Sequence, residues 1–514
     1  MPPAVQGPKP AGDFQALRRR AIEAMQARRF DEALVCASQA IALHPGASGM
    51  ASLRADAFAA LGRHEEALRA YERALELKPG QPKVLFNRGR ALAALHRRDE
   101  AIECFRQALA LNPRYAQALN GLGHALQLRG RYEEAIGHYE GALRERPDDA
   151  DALNGRGTAL KTLGRYREAI EDFDRVLALR PGLAKALWNK GTTLLHLGLT
   201  REAWLLYDHR LQTDRYAKLP AFGLPALGAG PLEGRKVLVQ WEARFGDVIQ
   251  MLRYLPALQA AAEDCWLQMA PPLRGLAARS FPRARIVGVD EAGEADCRVP
   301  YTSLPLAMGT FSEQDIPAAV PYLVPDPLKA EHWRHAIPAL GADAPRIGLA
   351  WRGNPVPAHR SASLEALRPL LETPRAQFVT LQKNLSAAER AALQGMKHVA
   401  LLDEELASFD DTAAVIAGLD LVITVDSVVA HLAGALGRPV WMLLKLGADW
   451  RWMAGRDDTP WYPSARLFRQ ARLDDWEPVV RGICAELRRF AAREAGRRSG
   501  VPAAALKQTR KSKQ

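Results

Sequence analysis

Small, aromatic and proline positions recur with one fixed period through the N-terminal part of the chain. Three series advance in steps of 34 residues: Pro45, Pro79, Pro113, Pro147 and Pro181; Ala33, Ala67, Ala101, Ala135, Ala169 and Ala203; and Tyr71, Phe105, Tyr139, Phe173 and Tyr207. Small residues allow two antiparallel helices to approach closely, the aromatic ring fills the gap beside them, and proline ends a helix. The pattern therefore predicts helical hairpins stacked into a solenoid.

A 34-residue period of this kind resembles the tetratricopeptide repeat (TPR) family over residues 14–217, in six units. The resemblance implies a concave surface that binds protein segments. With a repeat frame that starts at residue 14, the inward polar side chains of the fourth and fifth units are Gln117, Asn120, His124, Gln127, Asp151, Asn154, Thr158 and Lys161. Such side chains can bond to the backbone of an extended peptide, so we interpret them as partner-binding residues of a TPR groove. A merely solvated face is the alternative.

The sixth unit departs from the pattern, because no proline closes its second helix at 200–216. Terminal repeats usually cap the stack or dock on the next domain. We therefore expect this helix to pack on the C-terminal half of the chain.

Beyond residue 235 the pattern changes to short β-branched runs that alternate with helical stretches. The runs are Lys236–Trp241, Cys265–Met269, Arg285–Val289, Arg346–Trp351, Gln377–Leu381, His398–Leu402, Leu421–Val425 and Val440–Leu444. This alternation predicts parallel sheets with helices on both faces, and a Pro-rich stretch at Ile316–Pro327 splits the region in two. Two such halves form a cleft at the carboxyl ends of their strands, where ligands bind. The predicted fold class is α plus α/β, a TPR solenoid followed by two Rossmann-like domains.

These patterns predict six segments along the chain. They are a disordered N-terminus (1–13), six TPR repeats (14–217), a linker (218–235), an N-terminal Rossmann-like half (236–325), a C-terminal Rossmann-like half (326–490) and a basic disordered tail (491–514). Half of the net charge of +12 lies from Arg493 onward. Such a tail can contact nucleic acid or an anionic membrane, but no nucleic-acid motif accompanies it, which favours a solubilising role.

Composition narrows the class of protein further. The five cysteines are scattered without a CxxC pair, which favours buried core residues over a zinc site or a disulfide framework. No apolar run reaches the roughly 20 residues that span a bilayer, and the N-terminus lacks the apolar stretch of a signal peptide. We therefore expect a cytoplasmic protein without a transmembrane segment.

Two motifs in the α/β region resemble the heptosyltransferase-like glycosyltransferases of family 9. The first is Val239–Gln250, which contains Gly246-Asp247, and the second is Val422–Pro439, which contains Asp426, Ser427 and His431. The resemblance covers roughly 236–490 and implies a GT-B fold, a nucleotide-sugar co-substrate, inversion at the anomeric carbon, and no metal or other cofactor. Bacterial proteins that fuse TPR units to a family 9-like domain share further segments: Trp351–Asn354, Leu381–Lys383, Asp449–Trp452 and Pro460–Pro463.

Asp247 is the predicted catalytic base: it follows Gly246 where the loop opens after the first strand, and the resemblance of Gly246-Asp247 to the family's Gly-Asp motif supports this role. Such a base takes the proton of the acceptor as its oxygen attacks the anomeric carbon. Burial or a neighbouring carboxylate such as Glu242 would adjust its pKa for this task. The alternative is a helix N-cap, since Asp before a helix accepts from free amides.

The predicted donor-binding residues lie in the C-terminal half. They are Arg352, Asn354, Arg360, Lys383, Asp426, Ser427 and His431. Cations at strand ends and amides at a helix start can hold a diphosphate. Val428 stands where the family often has glycine, which argues against a close phosphate approach. The alternatives are surface cations, Asp426 as a helix cap and His431 as a core residue; Trp450 and Trp452 either stack on a ligand or form a packed corner.

Three functions remain open from the sequence. The first is a glycosyltransferase that modifies a protein recruited by the TPR arm, and the second is a transferase acting on an envelope glycan. The third is a non-catalytic TPR scaffold with a relic transferase domain, which Val428 favours and which Asp247, Asp426 and His431 oppose. The residues leave the sugar, the nucleotide, the acceptor and the oligomeric state undetermined.

Overall fold

The computed structural model describes residues 10–214, 216, 218–227, 232–242, 244–337, 344–353 and 360–498. The chain divides into two compact units. The first comprises Met1–Lys161 and Arg167–Pro181, and the second comprises Thr162–Tyr166 and Gly182–Gln514.

The first unit is built from helical hairpins. Its helices are α1 (Pro10–Gln26), α2 (Phe30–Leu43), α3 (Ser48–Ala60), α4 (His64–Leu77), α5 (Pro82–Ala94), α6 (Arg98–Leu111), α7 (Ala116–Leu128), α8 (Tyr132–Glu145), α9 (Ala150–Thr162) and α10 (Tyr166–Leu179). The second helix of each hairpin stops two residues before a proline of the series, as α2 does before Pro45 and α10 before Pro181. The predicted solenoid of helical hairpins is therefore confirmed.

Close packing between aromatic rings and glycines explains the period in this unit. Tyr139 is fully buried, and a Cβ atom at Gly155 would lie 2.5 Å from its ring. Likewise, a Cβ atom at Gly89 would lie 2.7 Å from the ring of Phe105. Each of these two rings thus needs a glycine on the first helix of a hairpin, and such contacts help to hold the repeats in register.

The sixth hairpin lies in the second unit. It consists of α11 (Ala184–Leu197) and α12 (Arg201–Asp208), followed by a 3₁₀ turn at His209–Gln212. The Trp204 indole N–H donates to the carbonyl oxygen of Thr310 at 2.7 Å, and the ring meets Trp450 edge-on at 5.2 Å between centroids. The prediction that this helix packs on the C-terminal half is confirmed.

Two parallel sheets form the rest of the second unit. The first half contains β1 (Lys236–Gln240), α13 (Phe245–Met251), α14 (Leu255–Ala261), β2 (Asp264–Gln268), α15 (Pro271–Ser280), β3 (Arg285–Val287), β4 (Cys297–Pro300) and α16 (Leu304–Ala307). The second half contains α17 (Pro327–Ala336), β5 (Arg346–Ala350), α18 (Leu364–Leu371), β6 (Gln377–Thr380), α19 (Ala387–Gln394), β7 (Val399–Ala400), α20 (Phe409–Ala417), β8 (Leu421–Val425), α21 (Val428–Ala435), β9 (Val440–Leu444), β10 (Ala465–Arg469) and α22 (Glu477–Arg498).

Both sheets have the order expected of doubly wound folds. The strand orders are β3-β2-β1-β4 and β10-β9-β8-β5-β6-β7, and the paired strands run parallel. The order reverses beside β1 in the first sheet and beside β5 and β8 in the second, so the carboxyl ends of these strands border the crevices where ligands bind. The predicted fold class of a helical solenoid followed by parallel α/β domains is confirmed.

The structure adds two strands that the hydrophobic pattern did not predict. β4 ends in Pro300 and carries Arg298, and β10 carries Arg466 and Arg469. A strand needs few apolar residues when its place is an outer position of a sheet whose neighbour supplies the pairing, so these segments lack a clear apolar run.

The predicted extent of the disordered tail is wrong at its start. Helix α22 continues from Glu477 to Arg498, because Phe490 and Ala491 still pack on the core of the second sheet. At the other end, α1 already begins at Pro10. Residues 1–9 and 499–514 lie outside the described part of the chain.

The cysteine prediction is confirmed, since all five cysteines are buried and none forms a disulfide. Among the described residues, no helix has the length and apolar character needed to cross a bilayer.

Candidate active site

A cavity of about 510 Å³ lies in the second unit, at the carboxyl ends of β1, β5, β6 and β8. It gathers seven residues that the sequence singled out from both halves: Asp247, Arg352, Arg360, Lys383, Asp426, Ser427 and His431. Asn354 falls outside the described residues. The cavity therefore brings the predicted base and the described donor-binding residues onto one surface.

Asp247 lies in the first turn of α13, where its Oδ2 accepts from the backbone N–H of Arg244 at 3.1 Å. Its Oδ1 pairs with Arg451 at 2.8 Å. Arg451 is buried and also bonds Asp449 at 2.7 Å and Gln250 at 2.6 Å. Burial opposes the charged guanidinium, but Asp247 and Asp449 outweigh it and raise the pKa of Arg451. The carboxylate thus caps its helix and is held by a permanent cation.

The sequence suggested that Glu242 acts on Asp247, but in the structure its carboxylate pairs with Arg210. The buried Glu242 carboxylate accepts from Arg210 at 2.8 Å and from the backbone N–H of Thr302 at 3.0 Å. Burial alone would raise the pKa of Glu242, but Arg210 outweighs it and the pKa is lowered. Glu242 therefore acts as the counter-ion of Arg210, because that guanidinium is the cation buried beside it.

Asp426 and Ser427 connect β8 to α21. Asp426 is buried, which raises its pKa, although Arg360 lies 3.3 Å from its Oδ2 and opposes this shift. Ser427 is the N-cap residue of α21, and its hydroxyl bonds Thr424 Oγ1 at 2.9 Å rather than capping the helix amides. Asp426 is therefore not the cap that the alternative reading proposed, and the first amides of α21 have no cap from the Ser427 side chain.

His431 lies on α21 against the first half of the unit. Its Nδ1 is 3.0 Å from the Tyr462 hydroxyl, and its ring stacks on Trp452 at 5.2 Å between centroids. A Cβ atom at Gly246 would lie 2.7 Å from the imidazole Cδ2, so glycine at this position lets α13 approach α21 closely. His431 is thus both packed, as the structural alternative held, and part of the cavity wall.

The remaining cations of the cavity differ in their partners. Arg352 bonds the carbonyl oxygen of Asn384 at 2.7 Å and pairs with Glu389 at 3.2 Å. Lys383 is exposed at the cavity rim, whereas Arg360 is tied to Asp426. Within the described parts of the chain, no group of three or more His, Cys, Asp or Glu side chains is arranged to hold a metal ion.

Trp450 and Trp452 form a packed corner. Both rings are buried, and Trp450 meets Trp204 and Trp461 edge-on. The structural alternative for these two residues is therefore the observed one, although Trp450 also contributes to the cavity wall.

The predicted TPR-groove residues lie on the first helices α7 and α9 of the first unit. Gln117, Asn120, Asn154 and Lys161 are half-buried, whereas His124 and Asp151 are exposed. Asp151 pairs with Arg180 at 3.3 Å. Gln127 accepts from the Tyr139 hydroxyl at 2.9 Å, so its amide oxygen serves the repeat core. Their role toward a partner remains a proposal.

Two kinds of protein-family model match this chain. Residues 18–82, 86–150 and 150–183 match models of the tetratricopeptide repeat. Residues 382–445 match glycosyltransferase family 9 (heptosyltransferase). The chain carries TPR repeats and a glycosyltransferase family 9 domain. The repeat matches end at residue 183, before the sixth hairpin, and the family 9 match contains Lys383, Asp426, Ser427 and His431 but not Asp247.

Among curated proteins, the chain is similar to FlbA of Caulobacter vibrioides, with 29% identity over 316 residues that cover 56% of this chain and 52% of FlbA. The chain thus spans about half the length of this relative. Among solved structures it is similar to MamA (20% identity, 33% of this chain, 92% of that chain, TM-score 0.30) and to YrrB, a TPR protein with an unusual peptide-binding site (23%, 34%, 91%, TM-score 0.30). PilW, a type IV pilus biogenesis factor, has 20% identity over 40% of this chain and 95% of its own, with a TM-score of 0.37.

Sequence reasoning missed several residues that the fold brings to the family 9 domain and its cavity. Arg451 and Tyr462 lie inside segments that the resemblance had marked, Asp449–Trp452 and Pro460–Pro463, but their side chains had no assigned role. No sequence motif marked Lys445. It is buried at the end of β9, and burial together with nearby Arg360 lowers its pKa. A lone lysine after an apolar strand gives no signal in sequence, whereas the burial and charges around it mark it in the structure.

The pH dependence of stability tests the surroundings of His431. Burial, followed by the charge of Arg451, lowers the pKa of His431 to about 3; Arg360 and Arg253 act in the same direction and Asp449 opposes them. The unfolded chain binds this proton near pH 6.5. The contribution of His431 to the free energy of unfolding is therefore complete above that pH and falls as the pH drops towards 3. Between pH 6 and 4 we expect the buried His431 to lower the free energy of unfolding by about 1.4 kcal/mol for each pH unit of acidification. His431→Asn should remove this pH dependence.

Urea unfolding at several pH values, followed by tryptophan fluorescence, measures this slope. All 11 tryptophans stand at position 188 or later, so the signal reports on the second unit. The matched control is His332→Asn, because His332 is exposed on α17 and should leave the slope unchanged. Equal slopes for wild type and His431→Asn would contradict the assignment of a buried, neutral imidazole.

Proposed function

We propose that this chain is a GT-B glycosyltransferase that transfers a sugar, with inversion, from a nucleotide-sugar donor to a protein held by its TPR arm. The observation that carries the proposal is the single cavity in which Asp247 of the first half meets Asp426, Ser427, His431 and a set of cations of the second half. The family 9 match over residues 382–445 supports the same reaction class.

Asp247 acts as the general base in this proposal. The acceptor hydroxyl loses its proton to a carboxylate oxygen of Asp247 while the hydroxyl oxygen bonds the anomeric carbon of the donor. The bond from that carbon to the diphosphate oxygen breaks on the opposite face, which inverts the configuration. Because Arg451 pairs with Asp247 Oδ1, the proton goes to Oδ2 once a substrate hydroxyl has reached it.

The second half stabilises the departing nucleoside diphosphate. Lys383 at the cavity rim and Arg360 beside Asp426 supply positive charge, and the first amides of α21 donate to phosphate oxygens. Arg352 contributes only if it leaves Glu389, with which it pairs. Val428 replaces the glycine that would allow the closest approach, so we assign the larger share of diphosphate binding to the cations.

The acceptor is the open part of the proposal. TPR repeats bind protein segments, which favours a polypeptide acceptor brought by the first unit. The heptosyltransferase description of the matching family favours a second candidate, a transferase for an envelope glycan whose repeats recruit a partner protein. The two differ in what receives labelled sugar when the full chain is offered a protein fraction and a glycolipid fraction side by side.

Calorimetric titration with UDP, GDP, ADP and CMP tests the proposal. We expect the full chain to bind one of these nucleotides selectively and His431→Ala to weaken that binding about tenfold or more, because the imidazole forms part of the cavity wall. His332→Ala, an exposed histidine outside the cavity, should bind like wild type. Binding of none of the four nucleotides would reject the transferase and favour a TPR scaffold.

A further inference from the structure

The sixth helical hairpin supplies one wall of the transferase cavity. Trp188 and Thr192 on α11, together with Tyr216, line the same cavity as the charged residues of the second half. Trp188 and Tyr216 meet edge-on at 6.1 Å between ring centroids. The Thr192 hydroxyl donates back to the carbonyl oxygen of Trp188 at 3.0 Å, which fixes this turn of the helix. The two rings therefore give this wall an aromatic corner.

This wall is fixed to the domain that carries Asp247. Arg210, just beyond α12, is fully buried and pairs with Glu242, two residues after β1. The backbone N–H of Ala454 donates to the carbonyl oxygen of His196 on α11 at 2.8 Å. The hairpin thus behaves as a part of the catalytic unit and not as a mobile end of the arm.

The repeat period identifies which face of the hairpin forms the wall. Trp188 stands 34 residues after Asn154 and 68 after Asn120, and Thr192 has the same relation to Thr158 and His124. The positions proposed to bind a partner in the fourth and fifth repeats are therefore the positions that line the cavity in the sixth. An aromatic side chain has replaced the asparagine at the first of these positions.

We propose that Trp188 and Tyr216 form an acceptor-peptide subsite, which an extended polypeptide crosses to present its hydroxyl to Asp247. This subsite rests on the proposed function in one respect, because it takes the acceptor of that reaction to be a polypeptide. Two aromatic rings in edge-on contact suit the backbone and apolar side chains of a peptide. A diphosphate is instead attracted by the cations of the same cavity, such as Arg360 and Lys383.

Peptide and nucleotide binding to the full chain test this subsite. The probe is an array of short peptides of random sequence that contain Ser or Thr, without any donor, in a background that carries Asn120→Ala and Asn154→Ala to weaken the arm. We expect Trp188→Ala to lower the affinity for the bound peptides about tenfold, Trp188→Phe to retain most of it, and the nucleotide affinity to stay unchanged. Phe311→Ala, a half-buried aromatic outside this cavity, is the matched control.

Any other result shows whether the peptide subsite or the proposed transferase is wrong. Unchanged peptide affinity in Trp188→Ala, or no peptide binding by the background chain, overturns the subsite while the transferase stands. A loss of nucleotide affinity in Trp188→Ala overturns it as well, because the ring then serves the donor. If the chain binds no nucleotide, the proposed transferase fails, and the peptide measurement still decides whether Trp188 binds polypeptide.

Discussion

Asp247→Asn will abolish sugar transfer and leave nucleotide binding intact. The amide cannot take the proton of the acceptor hydroxyl, and a positioned base contributes between about 10² and 10⁴ in rate. We expect kcat to fall about 10³-fold or more while KM for the donor stays within about twofold. The measurement is transfer from the nucleotide sugar whose nucleotide binds in the calorimetric titration.

The fold should tolerate this change, since Arg451 keeps its bonds to Asp449 and Gln250 when the charge of Asp247 is lost. Asp290→Asn is the matched control, because Asp290 is exposed and lies outside the cavity. If Asp247→Asn retains a tenth of the wild-type kcat, Asp247 is not the base. Its roles are then to cap α13 and to pair with Arg451.

Arg210→Met is expected to destabilise the second unit by about 3–5 kcal/mol. The side chains of Arg210 and Glu242 are 0% and 1% exposed, and they form a bidentate pair at 2.8 and 3.2 Å. Removal of the guanidinium leaves the Glu242 carboxylate buried without its cation, which is far more costly than loss of the pair itself. The pKa of Glu242, held low by Arg210, should then rise. Urea unfolding monitored by tryptophan fluorescence measures the loss.

Arg235→Met is the control for this large effect. Arg235 pairs with Asp296 at 3.0 Å, but the two side chains are 38% and 45% exposed. Solvent screens such a pair, so we expect its loss to leave the free energy of unfolding almost unchanged. Equal costs for Arg210→Met and Arg235→Met would show that the sixth hairpin is not held to β1 by a buried charge. Arg210→Met with Glu242→Gln should recover part of the loss, since the uncompensated charge is then absent.

Local chain chemistry explains why the helical part was predictable from sequence. Pro45 and its successors end helices because proline lacks the N–H and clashes with the preceding turn, whatever surrounds it. Glycine and aromatic positions keep the repeats in register through contacts such as Tyr139 with Gly155, which recur at a fixed spacing. A period of this kind is visible without knowledge of the neighbours in space.

The site was predictable where a residue lies shortly after a strand or inside one of the two family-like motifs. Asp247, Arg352, Lys383 and Asp426 lie near the carboxyl ends of β1, β5, β6 and β8, and parallel sheets bring these ends together. Arg451 could not be found in this way, because its partners Asp247 and Gln250 lie some 200 positions earlier. The pairing of Arg210 with Glu242, 32 positions apart, was hidden as well, because the two residues belong to different folded elements.

The sequence by itself determined the repeated hairpins, the two parallel sheets and the motif residues around Asp247 and Asp426, because each depends on short-range periodicity or on a contiguous segment. Only the tertiary structure decided that Asp247 is paired with a buried arginine, that His431 is neutral and packed, and that Trp188 of the sixth hairpin faces the cavity. These properties depend on burial and on charges from distant segments. A chain acquires both only when its elements pack.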